Sequence, residues 1–172
     1  MVLALVEEPS LAIRDFFFPR VTPRFLIRAS AVGLSAYLFF GHVCTPFLIK
    51  GQSMEPTHRD RSFNFCWRLK YLLTEPARHD VVTVRFAGSS VMLLKRIVAL
   101  EGEKIEFRNG RLLVDDQEIE EPYVRNPCDW NLPPRIVERG CVYLVGDNRT
   151  MPIENHFLGQ ASLKRIIGAP LW

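Results

Sequence analysis

Ser53 stands in the stretch IKGQSMEPT, and Lys95 stands in VMLLKRIVAL, 42 residues further on. A serine hydroxyl attacks a carbonyl poorly until a base removes its proton, and the usual base is histidine. His58 lies five residues beyond Ser53, in a turn that offers it no obvious way to fold back. Lys95 is the other candidate base. Strand alternation puts Val91, Leu93, Lys95, Ile97 and Ala99 on one face and Met92, Leu94, Arg96, Val98 and Leu100 on the other. Lys95 then has only apolar neighbours on its face. Burial penalises the ammonium and draws a lysine pKa down from about 10.4. An amine kept neutral in this way can take the proton of Ser53, one group standing in for both histidine and aspartate. Taken by itself, Lys95 has a plainer reading as a lysine snorkelling from a strand end.

The elements that must position this pair begin with an apolar run, FLIRASAVGLSAYLFFGHVCTPFLI. A helix of about 20 residues crosses a hydrocarbon core of about 30 Å, so residues 25–44 are expected to span a membrane and Pro46 to close the helix. A cleavable secretory signal and a buried helix of a soluble fold are the alternatives; the run is long and starts late for a signal. Arg14, Arg20, Arg24 and Arg28 cluster at its leading end. The positive-inside rule then places residues 1–24 in the cytoplasm and residues 45–172 on the opposite side.

Past the anchor the pattern changes to short strands: FNFCW, DVVTVRF, VMLLKRIVAL, KIEF, RLLV and CVYLV, with Asn109-Gly110 as a hairpin turn between two of them. The expected fold is mainly β, an N-terminal transmembrane helix followed by an antiparallel sheet domain with a long loop insertion. That insertion is residues 115–135, five acids in seven residues and then four prolines in thirteen, whose acids read as a solvated face. The net charge of +3 is spread thinly, with seventeen basic against sixteen acidic residues after position 50, and gives no support to nucleic-acid binding. Cys44, Cys66, Cys128 and Cys141 form no CxxC pair and the four histidines no HExxH, so no metal site and no cofactor are expected. Cys128 and Cys141 bracket the proline-rich stretch, where either a disulfide or two free thiols would be compatible with an extracytoplasmic location.

In order and spacing these pieces resemble the type I signal peptidases, membrane-anchored serine proteases that remove leader sequences from exported proteins. The likeness rests on Ser53-Met54-Glu55-Pro56-Thr57, on His79-Asp80-Val81-Val82, on Lys95-Arg96 running toward Glu101-Gly102-Glu103, on Gly146-Asp147-Asn148-Arg149, and on Gly159 with the closing KRIIGAPLW. The resemblance implies Ser53 as nucleophile and Lys95 as general base, with Arg96 and Asp147 paired to hold the lysine strand against the turn formed by Gly146, Asp147, Asn148 and Arg149. It implies an oxyanion held by the Ser53 amide; Gly51 occupies the place of an assisting hydroxyl in some members. Phe47, Ile49, Gly51, Met54, Leu93 and Leu94 would wall narrow pockets for small residues of a small-x-small leader site. The implied partners are preprotein signal peptides, the lipid bilayer and the secretion machinery, at a bacterial inner membrane. Pro152 replaces the serine that usually orients the lysine, and Glu154-Asn155-His156 stands where Asp-Ser-Arg is usual; Asn148 or Asn155 is the expected substitute. A pilus- or conjugation-processing or organellar member of the same family, a self-cleaving repressor, and a catalytically silent tethered β-domain are the competing readings. The repressor would need a DNA-binding domain in place of the anchor.

Overall fold

The computed structural model describes residues 21–85, 92–126, 128–156 and 159–172. A first compact unit ends at Phe39, and a second runs from Phe40 to Trp172. Arg14 and Arg20 lie outside the described residues.

Helix α1, Pro23–Leu38, starts where the physics of helix ends allows: the Thr22 hydroxyl accepts the Phe25 amide hydrogen at 3.2 Å, and Pro23 occupies the first turn, where its missing N–H costs nothing. The helical run continues through a π turn at Phe39–Val43. None of its residues through Gly41 is buried, and Pro23–Val43 is long and apolar enough to cross a bilayer. The helical run stops at Val43, ahead of Pro46, which instead sits inside strand β1, Cys44–Leu48. A proline is tolerated there because, among the described residues, β1 is the edge of its sheet and pairs on one side only.

The remaining strands are β2 (Phe63–Trp67), β3 (Val81–Arg85), β4 (Met92–Ala99), β5 (Lys104–Arg108), β6 (Arg111–Val114), β7 (Gln117–Glu118), β8 (Leu132–Ile136), β9 (Cys141–Val145), β10 (Gly159–Ser162) and β11 (Ile166–Pro170), with one short helix α2 at Lys70–Leu73. They form a seven-stranded sheet in the order β1-β2-β11-β3-β4-β9-β10 and a four-stranded sheet in the order β7-β6-β5-β8. Every pairing is antiparallel. The fold is therefore mainly β behind an N-terminal apolar helix. The β5–β6 turn has Asn109 and Gly110 at φ 49° and 79°, the positive values that this pair of residues accepts.

Alternation along β9 divides the core. Tyr143 and Val145 face one cluster with Val98, Ile105, Phe107, Leu112 and Trp130, which joins the two sheets, while Val142 and Leu144 face another with Val82, Val84 and Ile97. A bulge between Ile97 and Ala99 shifts the β4–β9 register and lets Val98 and Ala99 join one cluster.

Residues 115–135 are an insertion that only partly belongs to the surface. Asp115, Asp116, Glu118 and Glu120 are exposed as a solvated face should be, but Trp130 is 2% exposed in the core, and the Glu121 carboxylate is turned inward. The stretch also supplies β7 and most of β8. All four cysteines are free thiols; Cys128 Sγ lies 3.5 Å from the Gly110 carbonyl, so no bridge to Cys141 closes the insertion.

Because Trp130 stacks edge-on to both Phe107 and His156 at centroid distances of 5.7 and 4.8 Å, truncating it opens a cavity where the sheets meet. Trp130→Ala is expected to cost about 3–5 kcal/mol of stability, read from denaturant unfolding of the detergent-solubilised chain. A loss under about 1 kcal/mol would mean the insertion is peripheral after all.

Candidate active site

The loop from residue 49 to residue 62 joins β1 to β2 and is pinned at its base. Ile49 N donates to Ser62 O and Arg61 N to Ile49 O, both at 2.9 Å, and Gly51 N donates to Asp60 Oδ1 at 2.7 Å. Gly51 has φ +100°, a value that favours glycine. Met54, nearly fully buried, anchors the loop against Ile49 and Leu94. Ser53 is thereby held half-buried between them, in a cleft of about 40 Å³. That cleft is lined by all six residues expected to wall it: Phe47, Ile49, Gly51, Met54, Leu93 and Leu94.

A second set of contacts locks the same loop to the turn after β9. The Ser53 carbonyl accepts the Asn148 amide hydrogen at 3.0 Å, and Asn148 Nδ2 donates to the Gln52 carbonyl at 3.0 Å. Asn148 is thus committed to the serine loop and to Thr150, and orients Ser53 rather than Lys95. Asn155 lies in a short 3-10 turn and is exposed, with no side-chain bond to Lys95. Gly146 fits only as glycine: a Cβ there would meet the Ser53 carbonyl oxygen at 2.2 Å and His156 Nε2 at 2.6 Å.

Asp147, 1% exposed, is the hub. Arg96 Nε and Nη2 donate to its two oxygens at 2.8 and 2.6 Å, Thr57 Oγ1 donates to Oδ2 at 2.5 Å, and Arg96 Nη1 donates to the His79 carbonyl at 2.7 Å. This bidentate pair ties β4, the turn after β9 and the serine loop together. Arg149, fully buried, holds Glu121 through bonds of 2.5 and 3.0 Å and donates to the Gly146 carbonyl. The Tyr123 ring lies over the Arg96 guanidinium at 3.9 Å, and its hydroxyl donates to Glu121 Oε1. Glu121 and Tyr123, hidden in what reads as a solvated stretch, thus brace both arginines.

Lys95 pairs with Val82 across β3–β4 and is 3% exposed. Burial lowers its pKa from the ordinary 10.5 to about 8, and the more modest pull of Asp147 acts the other way. At pH 7 about one molecule in ten then carries the free amine. Among the described residues Lys95 Nζ and Ser53 Oγ make no hydrogen bond to each other. His58 is also buried, and burial depresses its pKa; Asp147 and Arg96 act on it more weakly. His156, which sequence reasoning passed over, accepts the Gly146 amide hydrogen at Nε2; burial depresses its pKa, and the nearby charges of Lys95 and Arg149 lower it further. A histidine ten residues past the turn carries no local signal of that contact. Among the described residues no group of histidine, cysteine or acidic side chains is arranged to hold a metal ion.

A family model described as signal peptidase, peptidase S26, matches residues 23–171. Thylakoidal processing peptidase 1, chloroplastic, of Arabidopsis thaliana is 30% identical over 76% of this chain and 42% of its own length. A probable thylakoidal processing peptidase 2 of the same plant is 32% identical over 76% of this chain and 38% of its own. This chain therefore spans about two-fifths of the length of those two relatives. Signal peptidase I of Bacillus licheniformis is 25% identical over 95% of this chain and 91% of its own length. A crystal structure of a signal peptidase I from Enterococcus faecalis superposes with a TM-score of 0.45 at 20% identity, over 56% of this chain and 97% of that one.

The folded pKa of Lys95 lies below its unfolded value of 10.5, so holding this ammonium costs stability at neutral pH. That cost fades as pH rises from about 8 to about 10.5, because the folded state has already shed the proton. Lys95→Met is expected to be more stable than the wild type at pH 7 by up to about 3 kcal/mol, with the pH-dependent part of the gain gone by about pH 10.5. Parallel unfolding curves at pH 7 and about pH 10.5 read this, and an equal difference at both would contradict a depressed lysine.

Proposed function

This chain belongs to the signal peptidase S26 family, and from that membership we propose that it is a membrane-anchored Ser-Lys endopeptidase removing signal peptides from exported preproteins. The single observation carrying the mechanism is Lys95, buried on the strand whose Leu93 and Leu94 line the Ser53 cleft, with a pKa drawn down to about 8.

In the proposed reaction Lys95 Nζ takes the Ser53 hydroxyl proton as Oγ attacks the scissile carbonyl. The oxyanion that forms takes a hydrogen bond from the Ser53 amide, with Gly51 offering no side-chain donor. The C–N bond then breaks, and Lys95 returns the proton to the leaving amine. Water, deprotonated in turn by Lys95, hydrolyses the acyl-serine and restores both groups. Arg96, Gly146, Asp147, Asn148 and Arg149 act by holding the geometry.

The substrate class is supported by the size and chemistry of the cleft. A small apolar cleft of about 40 Å³ lined by Phe47, Ile49, Met54, Leu93 and Leu94 suits alanine-sized side chains. Among the described residues, 92–95 of β4 pair with β3 alone, since the pairing with β9 begins at Arg96, so one edge is open to an extended peptide. Leader peptides with small residues at the first and third positions before the cut match both features.

The Pro23–Val43 helix is read as a single span, with the N-terminus cytoplasmic and residues 45–172 extracytoplasmic in a bacterial inner membrane. On that reading Ser53 comes ten residues after the span ends, on the side of the membrane where a leader's cleavage point emerges. The partners in this reading are preproteins, the surrounding lipid and the secretion machinery.

Detergent-solubilised full chain should cleave a short peptide bearing an Ala-x-Ala site. Ser53→Ala and Lys95→Ala should each reduce kcat by a factor of about 10³ or more. The kcat/KM profile should rise with pH through about 8, because the neutral amine is the active form. A profile flat from about pH 6 to about pH 10 would remove Lys95 as base, and an intact peptide with well-folded protein would favour a tethered binding domain.

A further inference from the structure

Ser53 is fixed from behind by a stack of groups that reaches well outside the cleft. Its carbonyl is pressed against Gly146, whose Cα has no room for a side chain on that side. The Gly146 amide hydrogen goes to His156 Nε2 at 2.9 Å, inside the protein. The His156 ring packs edge-on to Trp130 with centroids 4.8 Å apart, and Trp130 is itself tethered by Nε1 donating to the Met151 carbonyl at 2.9 Å. Two residues beyond Gly146, the Asn148 amide holds the Ser53 carbonyl, and its side chain holds Gln52.

We propose that His156 is a positioning residue for the nucleophile: by accepting the Gly146 amide hydrogen, its ring fixes the turn that grips the Ser53 carbonyl and thereby sets where the hydroxyl stands. The inference rests on the Ser53–Lys95 reading given above.

The ring chemistry supports a role beyond filling space. An amide can only donate, so Nε2 is the bare nitrogen, and Nδ1 carries the hydrogen. Nδ1 is buried with no partner among the described residues. A buried donor without a partner costs free energy that a phenyl ring in the same place would not. The histidine is therefore kept for its acceptor. The charged groups facing the ring are Lys95 from β4 and Arg149 from the turn after β9. Burial first, and then these two cations, push the ring's pKa down to about 3, so the Nε2 lone pair stays available throughout the range in which the enzyme would work.

The test compares His156→Phe with His156→Gln in the detergent-solubilised full chain acting on the Ala-x-Ala peptide, with Ser53→Ala alongside. His156→Phe keeps the packing on Trp130 and loses the acceptor; kcat should fall about 10- to 100-fold with KM within about twofold, the mark of a misplaced reacting group. His156→Gln carries an oxygen that reaches where Nε2 does and should recover most of that loss. If His156→Phe turns over like the wild type, or if Phe and Gln fall equally, the positioning role is wrong. Should His156→Phe fail to fold, nitrogen NMR of the wild-type histidines decides: an unprotonated, hydrogen-bonded Nε2 with no titration above about pH 5 supports the role, and an Nε2–H tautomer overturns it. A Ser53→Ala variant that still cleaves brings down the Ser-Lys reading and this inference with it. A silent Ser53→Ala beside an unaffected His156→Phe brings down the inference alone.

Discussion

The site depends on one buried ion pair. Arg96 and Asp147 meet through two short bonds at the point where β4, the turn after β9 and the serine loop converge. Neither charge gains much by leaving water, since desolvating two ions costs several kcal/mol each and their attraction roughly returns it. What the pair supplies is geometry. A guanidinium with two parallel bonds to a carboxylate fixes both position and angle, and Thr57 extends the lock to the segment carrying Ser53. Lys95, one residue along the strand from Arg96, inherits its position from that lock without sharing the bond, because neighbours on a strand point to opposite faces.

The second ion pair explains why the insertion exists on this chain in a form that sequence pattern obscures. Glu121 leaves the exposed acidic run to meet Arg149, and Tyr123 then covers Arg96. Trp130, later in the same stretch, completes the wall against which His156 packs. One segment thus contacts all three of the groups that hold the turn, which makes the small sheet part of the site's support rather than an appendage.

Much of this was legible. The strands carrying Lys95 and the Asp147 turn announce themselves as β-rich runs between turn formers, while the cleft residues follow from the family resemblance, since the neighbours Leu93 and Leu94 both line the cleft. Three features were not. LPPRI reads as a loop because prolines are rare in strands, yet β8 lies at a sheet edge where the missing amides go unneeded. Glu121 reads as one of five clustered acids, and only its partner 28 residues away separates it from the solvated ones. His156 looks like a substitution that weakens the site, because the amide it serves lies ten residues back and is joined to it through space. The sequence carries local periodicity well and long-range pairing of single polar side chains poorly.

The arrangement of charge in the buried site accounts for the state of its lysine. Lys95, Arg96 and Arg149 bring three cations, and Asp147 and Glu121 bring two anions. Each arginine takes one carboxylate in a bidentate grip, and both anions are thereby spent. His156 adds no anion, and among the described residues no acid pairs with Lys95. If Lys95 keeps its proton, the interior holds one unbalanced positive charge; if it releases the proton, the count closes at zero. Desolvation makes the unbalanced state the costly one. A lysine that holds its proton loosely is therefore what this set of side chains contains, and the two arginine pairs act on it chiefly by engaging both carboxylates.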